Sequence, residues 1–331
     1  MYHPFYGLRE LPFELTPDPK YLFQTRRHRE ALANLQYGLS SAKPITVLIG
    51  EAGTGKTTLL RTALESPPCR NVGAVYMNNP ALTRGEFLEV LAHRFNLDPA
   101  VGESKARLLA ELENVLRERR ARGLITALVI DEAQSLSGEL LEEIRLLANI
   151  ETTTEKLLPL VLAGQPELRD RLNETSLRQL KQRIALRCEV MPFSNEETGA
   201  YIAYRIRIAG GDAATMFTRE AVELIHAKSG GIPRVISVIC DNALITGFGI
   251  EQRRIDRAIV SDVARDFDLG LLDVESEVAQ AAVAPGSLDT VDTAIPLAEE
   301  VEPAPVEPTE DAPELFASTT GRRRFSLFRR R

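Results

Sequence analysis

The run Gly50-Glu51-Ala52-Gly53-Thr54-Gly55-Lys56-Thr57 constrains this chain more than any other feature. It has the spacing GxxxxGK[ST]. An apolar strand pattern precedes it at Ile45–Ile49 and a helical pattern opens from it at Thr57–Leu64, the context that makes such a run a phosphate-binding loop. Glycines let successive backbone N–H groups turn inward around phosphate oxygens, and the start of the helix adds positive potential. Lys56 is placed to reach the β- and γ-phosphates and the Thr57 hydroxyl to ligate Mg²⁺, with Thr58 closing the nucleotide-binding stretch. A strand, a glycine loop and a helix in that order predict an α/β fold.

The surrounding pattern agrees. Between residues 44 and 193, short apolar runs at Ile45–Ile49, Val72–Met77, Ile125–Ile130, Leu158–Ala163 and Cys188–Met191 read as strands. Helical patterns separate them at Thr57–Leu64, Gly85–Phe95, Lys105–Arg120, Gly138–Asn149 and Leu177–Ile184. Such alternation predicts βαβ units and a five-stranded parallel sheet covered on both faces. Residues 1–43 open with a segment rich in proline and aromatics, followed by a helix from His28 whose apolar face carries Ala31, Leu35 and Leu39. From 194 to 268 the strands stop and four helices are predicted, Glu196–Ile208, Thr218–Lys228, Pro233–Thr246 and Asp256–Asp266. Ser194 or Asn195 can cap the first and Thr218 the second, and Pro233 suits a first helical turn. This reads as a small all-α lid. Residues 269–331 read as a disordered acidic linker with a basic-aromatic terminus, because no Lys or Arg occurs between Arg265 and Arg322.

Two carboxylates follow the apolar run Leu128-Val-Ile: Asp131 and Glu132. At a strand end beside the phosphate loop, Asp131 would hold Mg²⁺ and Glu132 would polarise the attacking water as general base. A second acid argues for hydrolysis over mere nucleotide holding. Gln165 ends another buried strand, where it could contact the γ-phosphate or the lytic water. Among Arg178, Arg183 and Arg187, Arg183 is chosen as a charge-stabilising fork because Ile184 and Leu186 begin the next strand and place it at the domain edge. In Gly230-Gly-Ile-Pro-Arg234, a cation in a first helical turn opposes the helix dipole, which makes sense if an anion such as the γ-phosphate lies opposite.

Composition bounds the rest. With 44% hydrophobic and 26% charged residues the chain reads as soluble and globular. No run approaches the roughly 18 apolar residues of a membrane span, and the start lacks a secretory signal pattern, so a cytoplasmic location is expected. Three cysteines without CxxC spacing and four histidines point to no structural metal site. The net charge of −7 sits almost wholly after residue 270, where twelve acids face six arginines, so the folded part is nearly neutral.

Together these features resemble the AAA+ superfamily: phosphate loop, apolar strand ending in Asp-Glu, polar strand end, edge arginine and GxPR in a helical lid. Tyr2…Phe5-Tyr-Gly-Leu…Pro12-Phe…Thr16-Pro-Asp-Pro…Leu22-Phe…His28-Arg-Glu-Ala-Leu is similar to the start of the general secretion pathway protein A (ExeA) group. So are Asp131-Glu-Ala-Gln-Ser-Leu-Ser, Leu140-Leu-Glu-Glu-Ile-Arg-Leu-Leu-Ala-Asn, Gly164-Gln-Pro-Glu-Leu and Leu177-Arg-Gln-Leu-Lys-Gln-Arg-Ile. That group includes secretion ATPases found with exosortase and exopolysaccharide gene clusters. The resemblance covers residues 1–267. It implies ATP and Mg²⁺ as ligands, Walker A at Gly50–Thr57, Walker B at Asp131 and Glu132, and sensor 1 at or near Gln165. An arginine finger at Arg183, sensor 2 at Arg234 and a segment around His28 flanking the adenine are implied as well. ATP over GTP rests on the resemblance, since no base-reading motif is visible. Longer members continue into a transmembrane helix and a peptidoglycan-binding domain, neither of which is seen here, so the shorter cytoplasmic members are the expected kin.

The expected function is an ATP-hydrolysing motor or switch, active as a homo-oligomeric ring or filament, serving an envelope secretion or exopolysaccharide assembly system. Its basic terminus, residues 322–331, would touch a partner protein or place the chain at the inner-membrane surface. Two alternatives stay open at this stage. One is a DNA-binding ATPase of the transposition-regulator type, using basic clusters at Arg117–Arg122 and Arg253–Arg257. The other is a scaffold that binds nucleotide without turning it over.

Overall fold

The computed structural model describes residues 1–16, 19–77, 82–98 and 104–267. These belong to the first of two compact units, Met1–Val278. The acidic linker and basic terminus read from the sequence at 269–331 lie outside the described residues.

Five strands form one parallel sheet: β1 (Ile45–Gly50), β2 (Val72–Met77), β3 (Ile125–Ile130), β4 (Leu160–Gly164) and β5 (Ile184–Val190), in the spatial order 2-3-4-1-5. The central strands β1, β3 and β4 are buried along their whole length, which is why they read as unbroken apolar runs. Alternate residues feed two cores. Ile45, Val47, Ile49, Leu128, Ile130, Leu160 and Leu162 face one side of the sheet, while Leu48, Ala127, Val129, Val161 and Ala163 face the other. Each buried Leu or Ile side chain contributes about 1.5–3 kcal/mol of transfer free energy, so the sheet is a rigid platform.

The first core is covered by α3 (Arg84–Arg94), α4 (Lys105–Ala121) and α5 (Gly138–Leu147), and the second by α1 (Arg26–Ser40) and α2 (Lys56–Leu64). The buried Glu143 of α5 pairs with Arg84 at 2.7 Å and Lys105 at 2.8 Å, fastening three helices with one carboxylate. Short helices α6 (Glu167–Leu172) and α7 (Arg178–Lys181) lead from β4 into β5.

Here the structure corrects three sequence expectations. The last strand starts at Ile184 and ends at Val190, earlier at both ends than Cys188–Met191, and the preceding helix is cut back to Arg178–Lys181 from Leu177–Ile184. The cause is position. β5 is an edge strand whose buried and exposed residues alternate, with Arg187 and Glu189 turned to solvent, so it lacks an apolar run. The fourth strand likewise begins at Leu160, two residues beyond the expected Leu158.

The remaining helices are α8 (Asn195–Ile208), α9 (Ala213–Met216), α10 (Arg219–Ser229), α11 (Pro233–Gly249) and α12 (Arg257–Asp266). The short α9 was not read from the sequence, having too few residues for a period. Ser194 caps α8 in a reciprocal box with Glu197, Thr218 caps α10, and Pro233 occupies the first turn of α11. Their core has a guest. Tyr2, Leu8 and Phe13 from the start of the chain are buried among Ile206, Phe217, Ile236, Ala243 and Val260. Arg205 of α8 locks that segment down, donating to the carbonyls of Pro12 and Glu14 (3.0 Å for the latter) and to the Tyr201 hydroxyl at 2.7 Å. Its guanidinium also lies 4.5 Å from the Tyr21 ring centroid.

Candidate functional site

The site forms where β1, β3 and β4 end. Leaving β1 at Gly50, the chain turns through Glu51, Ala52, Gly53, Thr54 and Gly55 before α2 begins at Lys56. The turn is held from within: Thr54 donates its hydroxyl to the Glu51 carbonyl at 2.8 Å. Gly53 adopts φ +79°, and a Cβ there would stand 2.8 Å from Cβ of Arg234, so both backbone shape and space demand glycine. Lys56 is 5% exposed and donates to the carbonyls of Gly50 (2.8 Å) and Glu51 (3.1 Å). Burial pushes its ammonium below the usual lysine range, and the carboxylates of Glu132 and Asp131 pull against that shift.

Thr57 and Asp131 meet from two elements. The Thr57 hydroxyl donates to Asp131 Oδ2 at 3.1 Å, and Asp131 Oδ1 accepts the Glu132 backbone N–H at 3.0 Å. A hydroxyl and a carboxylate from the protein form a donor set that suits Mg²⁺: hard oxygen ligands, few of them from the chain. Thr58, in the first turn of α2, is half-buried.

Glu132 follows directly. Its backbone stands at φ +51°, uncommon for a residue with a side chain, and a short 3₁₀ turn (Ala133–Ser135) folds the chain back after it. Its Oε2 accepts the Gln134 amide at 2.6 Å and the Gln165 amide at 3.4 Å. Gln165 thus stands where the sequence placed it, at the end of β4, and the structure brings it onto Glu132. Gln134 was not singled out from the sequence. It lies inside the quoted Asp-Glu-Ala-Gln run, yet only the fold-back of the turn reveals that it faces Glu132.

Arg234 begins α11 over the phosphate loop, its backbone N–H donating to the Gly53 carbonyl at 3.2 Å. His28, in the first turn of α1, is buried between the same loop and the helices. Its Nδ1 lies 2.8 Å from Thr25 Oγ1, the ring hydrogen-bonds the backbone of Thr54, and its centroid is 5.5 Å from Phe193. Burial pushes its pKa down, against the Thr54 bond and the charge of Glu197.

Arg183 is elsewhere. It stands just before β5, whose Ile184 pairs with Ile45 at the opposite end of β1 from the phosphate loop. Six strand residues separate the two ends, a rise of about 20 Å. Among the described residues Arg183 makes no salt bridge. Its charge, behind the nearer Lys156, helps hold Glu151 below the usual carboxylate range.

The basic cluster at Arg117–Arg122 is largely occupied by its own neighbours. Arg117 pairs with Glu113 at 2.5 Å, Arg120 pairs with Glu155, and Arg119 donates to Thr126 at 3.2 Å. Among the described residues no helix is long and apolar enough to cross a membrane.

Comparison with known proteins places this geometry. The AAA domain model matches residues 39–172. General secretion pathway protein A of Aeromonas hydrophila is 42% identical over 262 residues, which cover 79% of this chain and 47% of that protein, so the chain spans about half its relative's length. Among solved structures, Cdc6p of Pyrobaculum aerophilum superposes with a TM-score of 0.60 at 19% identity, covering 77% of this chain and 70% of that one. The ORC2 protein of Aeropyrum pernix, solved as ADPNP-ADP complexes, gives 0.58 at 17% identity over 78% and 72%. At those identities the two structures speak for the fold alone. With its parallel five-stranded sheet and phosphate loop, the chain has the AAA P-loop fold and, over the 262 residues they share, is similar to general secretion pathway protein A.

Proposed function

We propose that the chain hydrolyses ATP as a subunit of a homo-oligomer, with each site completed by Arg183 of a neighbour. One observation carries this reading: five groups of the phosphate end stand together, while Arg183 is at the far end of the same sheet. A finger that cannot reach its own site can serve the next subunit's.

In this reading the loop from Gly50 to Thr58 cradles the phosphates with its backbone N–H groups, and Lys56 exchanges its two carbonyl partners for phosphate oxygens. Thr57 and Asp131 would hold Mg²⁺, which offsets phosphate charge when bound. Glu132 takes a proton from the attacking water while Gln165 stands beside it, at the γ-phosphate or the water. Arg234 reaches the nucleotide from the lid, and its backbone tie to Gly53 passes the loop's state to the helices. The segment around His28 flanks the adenine side.

The residue boundaries 1–43, 44–193, 194–268 and 269–331 remain the proposed division of labour. The partner is proposed to be an envelope secretion or exopolysaccharide assembly protein, met at the cytoplasmic face of the inner membrane, with residues 322–331 as the contact on sequence grounds. The pairing of Arg117 and Arg120 with acids weighs against the first of the two basic clusters on which the DNA-binding alternative rests.

Steady-state ATP hydrolysis per subunit, measured across rising protein concentration, tests the shared site. Turnover should climb as subunits meet and collapse in Arg183→Ala. Turnover that is flat with concentration and indifferent to Arg183 overturns the reading.

A further inference from the structure

Gln134 has both ends of its side-chain amide committed. The carbonyl, Oε1, accepts the backbone N–H of Gln165 at 3.0 Å, and the NH₂ donates to Glu132 Oε2 at 2.6 Å. The orientation is chemically fixed. A backbone N–H can face only the amide's oxygen, which turns its nitrogen to the carboxylate. Three further features build the arrangement. The left-handed backbone of Glu132 and the 3₁₀ turn after it bring residue 134 back over residue 132. β4 ends in Gly164, where a Cβ would stand 2.8 Å from Oε1 of Gln134, so the strand end is cleared for the amide. Arg171 of α6 donates to the backbone carbonyl of Gln134 and holds the turn from the other side.

The consequence falls on Glu132. Both amides that reach it, from Gln134 and Gln165, use the same oxygen, Oε2. No hydrogen bond to Oε1 of Glu132 is found among the described residues. A carboxylate anchored by one oxygen and open at the other is oriented to accept a proton along one direction.

We propose that Gln134 is the positioning residue of the general base: it fixes the Glu132 carboxylate through Oε2, presents Oε1 to the attacking water, and ties that orientation to the end of β4. This rests on the ATPase reading above and deepens it. Gln165, placed toward the γ-phosphate, is then joined to the base twice, by its own amide and through its backbone and Gln134. Movement at the end of β4 is passed to the carboxylate without rearrangement of the phosphate loop.

The test uses the full chain and Gln134→Met, which keeps the length of the side chain and removes both amide functions. Gln134→Glu, which retains an acceptor for the Gln165 N–H but loses the donor to Glu132, is measured beside it. Misplacing a catalytic group by an ångström costs up to about 100-fold, so both variants should lose roughly 10- to 100-fold in kcat. KM and affinity for a non-hydrolysable ATP analogue should stay within about twofold of wild type on the same grounds. In a Glu132→Gln background, adding Gln134→Met should cost nothing more, because the carboxylate to be positioned is gone. A Gln134→Met chain with wild-type kcat, or penalties that add in the double variant, overturns the inference while leaving the ATPase reading intact. A wild-type chain that never turns ATP over brings down both.

Discussion

The two ends of the sheet treat their charged residues differently. At the carboxyl end of the strands, Lys56, Thr57, Asp131, Glu132 and Gln165 are bonded to one another or to the loop that carries them. At the amino end, Arg183 is half-buried and has no salt bridge among the described residues. The first end is organised within one subunit because βαβ connections deliver every strand terminus to the same edge. The second end offers a planar cation whose charge acts on Glu151 without a salt bridge among the described residues. The proposed shared site would join the two ends across neighbouring chains.

Removing the base is the sharpest way to break that contrast. Glu132→Gln should lower kcat by roughly 100-fold or more while ATP affinity is kept, since general-base catalysis contributes about 10²–10⁴. Single-turnover hydrolysis and analogue binding, measured side by side, check this. If turnover persists, Glu132 is not the general base.

Mixing sharpens the comparison. Glu132→Gln subunits and Arg183→Ala subunits should each be nearly inactive alone, yet regain roughly a quarter of wild-type turnover when combined at random in a shared-site assembly. Some interfaces then pair an intact base with an intact finger. Titrating one variant into the other shows the rise; a mixture no better than its parts means that Arg183 is not the trans group.

A third prediction concerns stability apart from either end. Arg205→Leu leaves the carbonyls of Pro12 and Glu14 and the Tyr201 hydroxyl without their buried donor. It should cost about 3 kcal/mol, and thermal denaturation should move down by roughly 6–10 °C. An unchanged Tm would mean that the start of the chain does not depend on this latch.

The smallest effect expected is a pH dependence at His28. The folded chain holds its imidazole below the usual 6.5 because it is buried. The unfolded chain therefore takes up the proton first as pH falls, so the stability contributed is present above about 6.5 and lost below it. His28→Gln should flatten that part of the Tm–pH curve by a few degrees. Parallel curves for wild type and variant would remove His28 from the account.

Much of the carboxyl end was legible because its residues are close in sequence to strand signals. The β2 and β3 boundaries match the apolar runs to the residue, and Gly50–Thr57 and Asp131-Glu132 stand directly at strand ends. Of the two edge strands, β5 was not legible in the same way as β2, since Arg187 and Glu189 interrupt its apolar pattern. Gln134 escaped notice for a different reason. Its partner lies two residues away, a separation at which side chains in a regular strand share a face but do not bond. Only the left-handed backbone at Glu132 turns the two together.

By itself, then, the sequence determined the α/β class, the phosphate loop and the carboxylates, because strand and helix periods and glycine spacing are local properties of the chain. Tertiary structure alone decided three things: that Tyr2 and Phe13 complete the core of the helices after residue 194, that Arg234 docks on Gly53, and that Gln134 and Gln165 converge on one oxygen of Glu132. Each joins segments whose meeting depends on strand order and helix packing, or on one unusual backbone angle. No pattern of residue types along the chain records those.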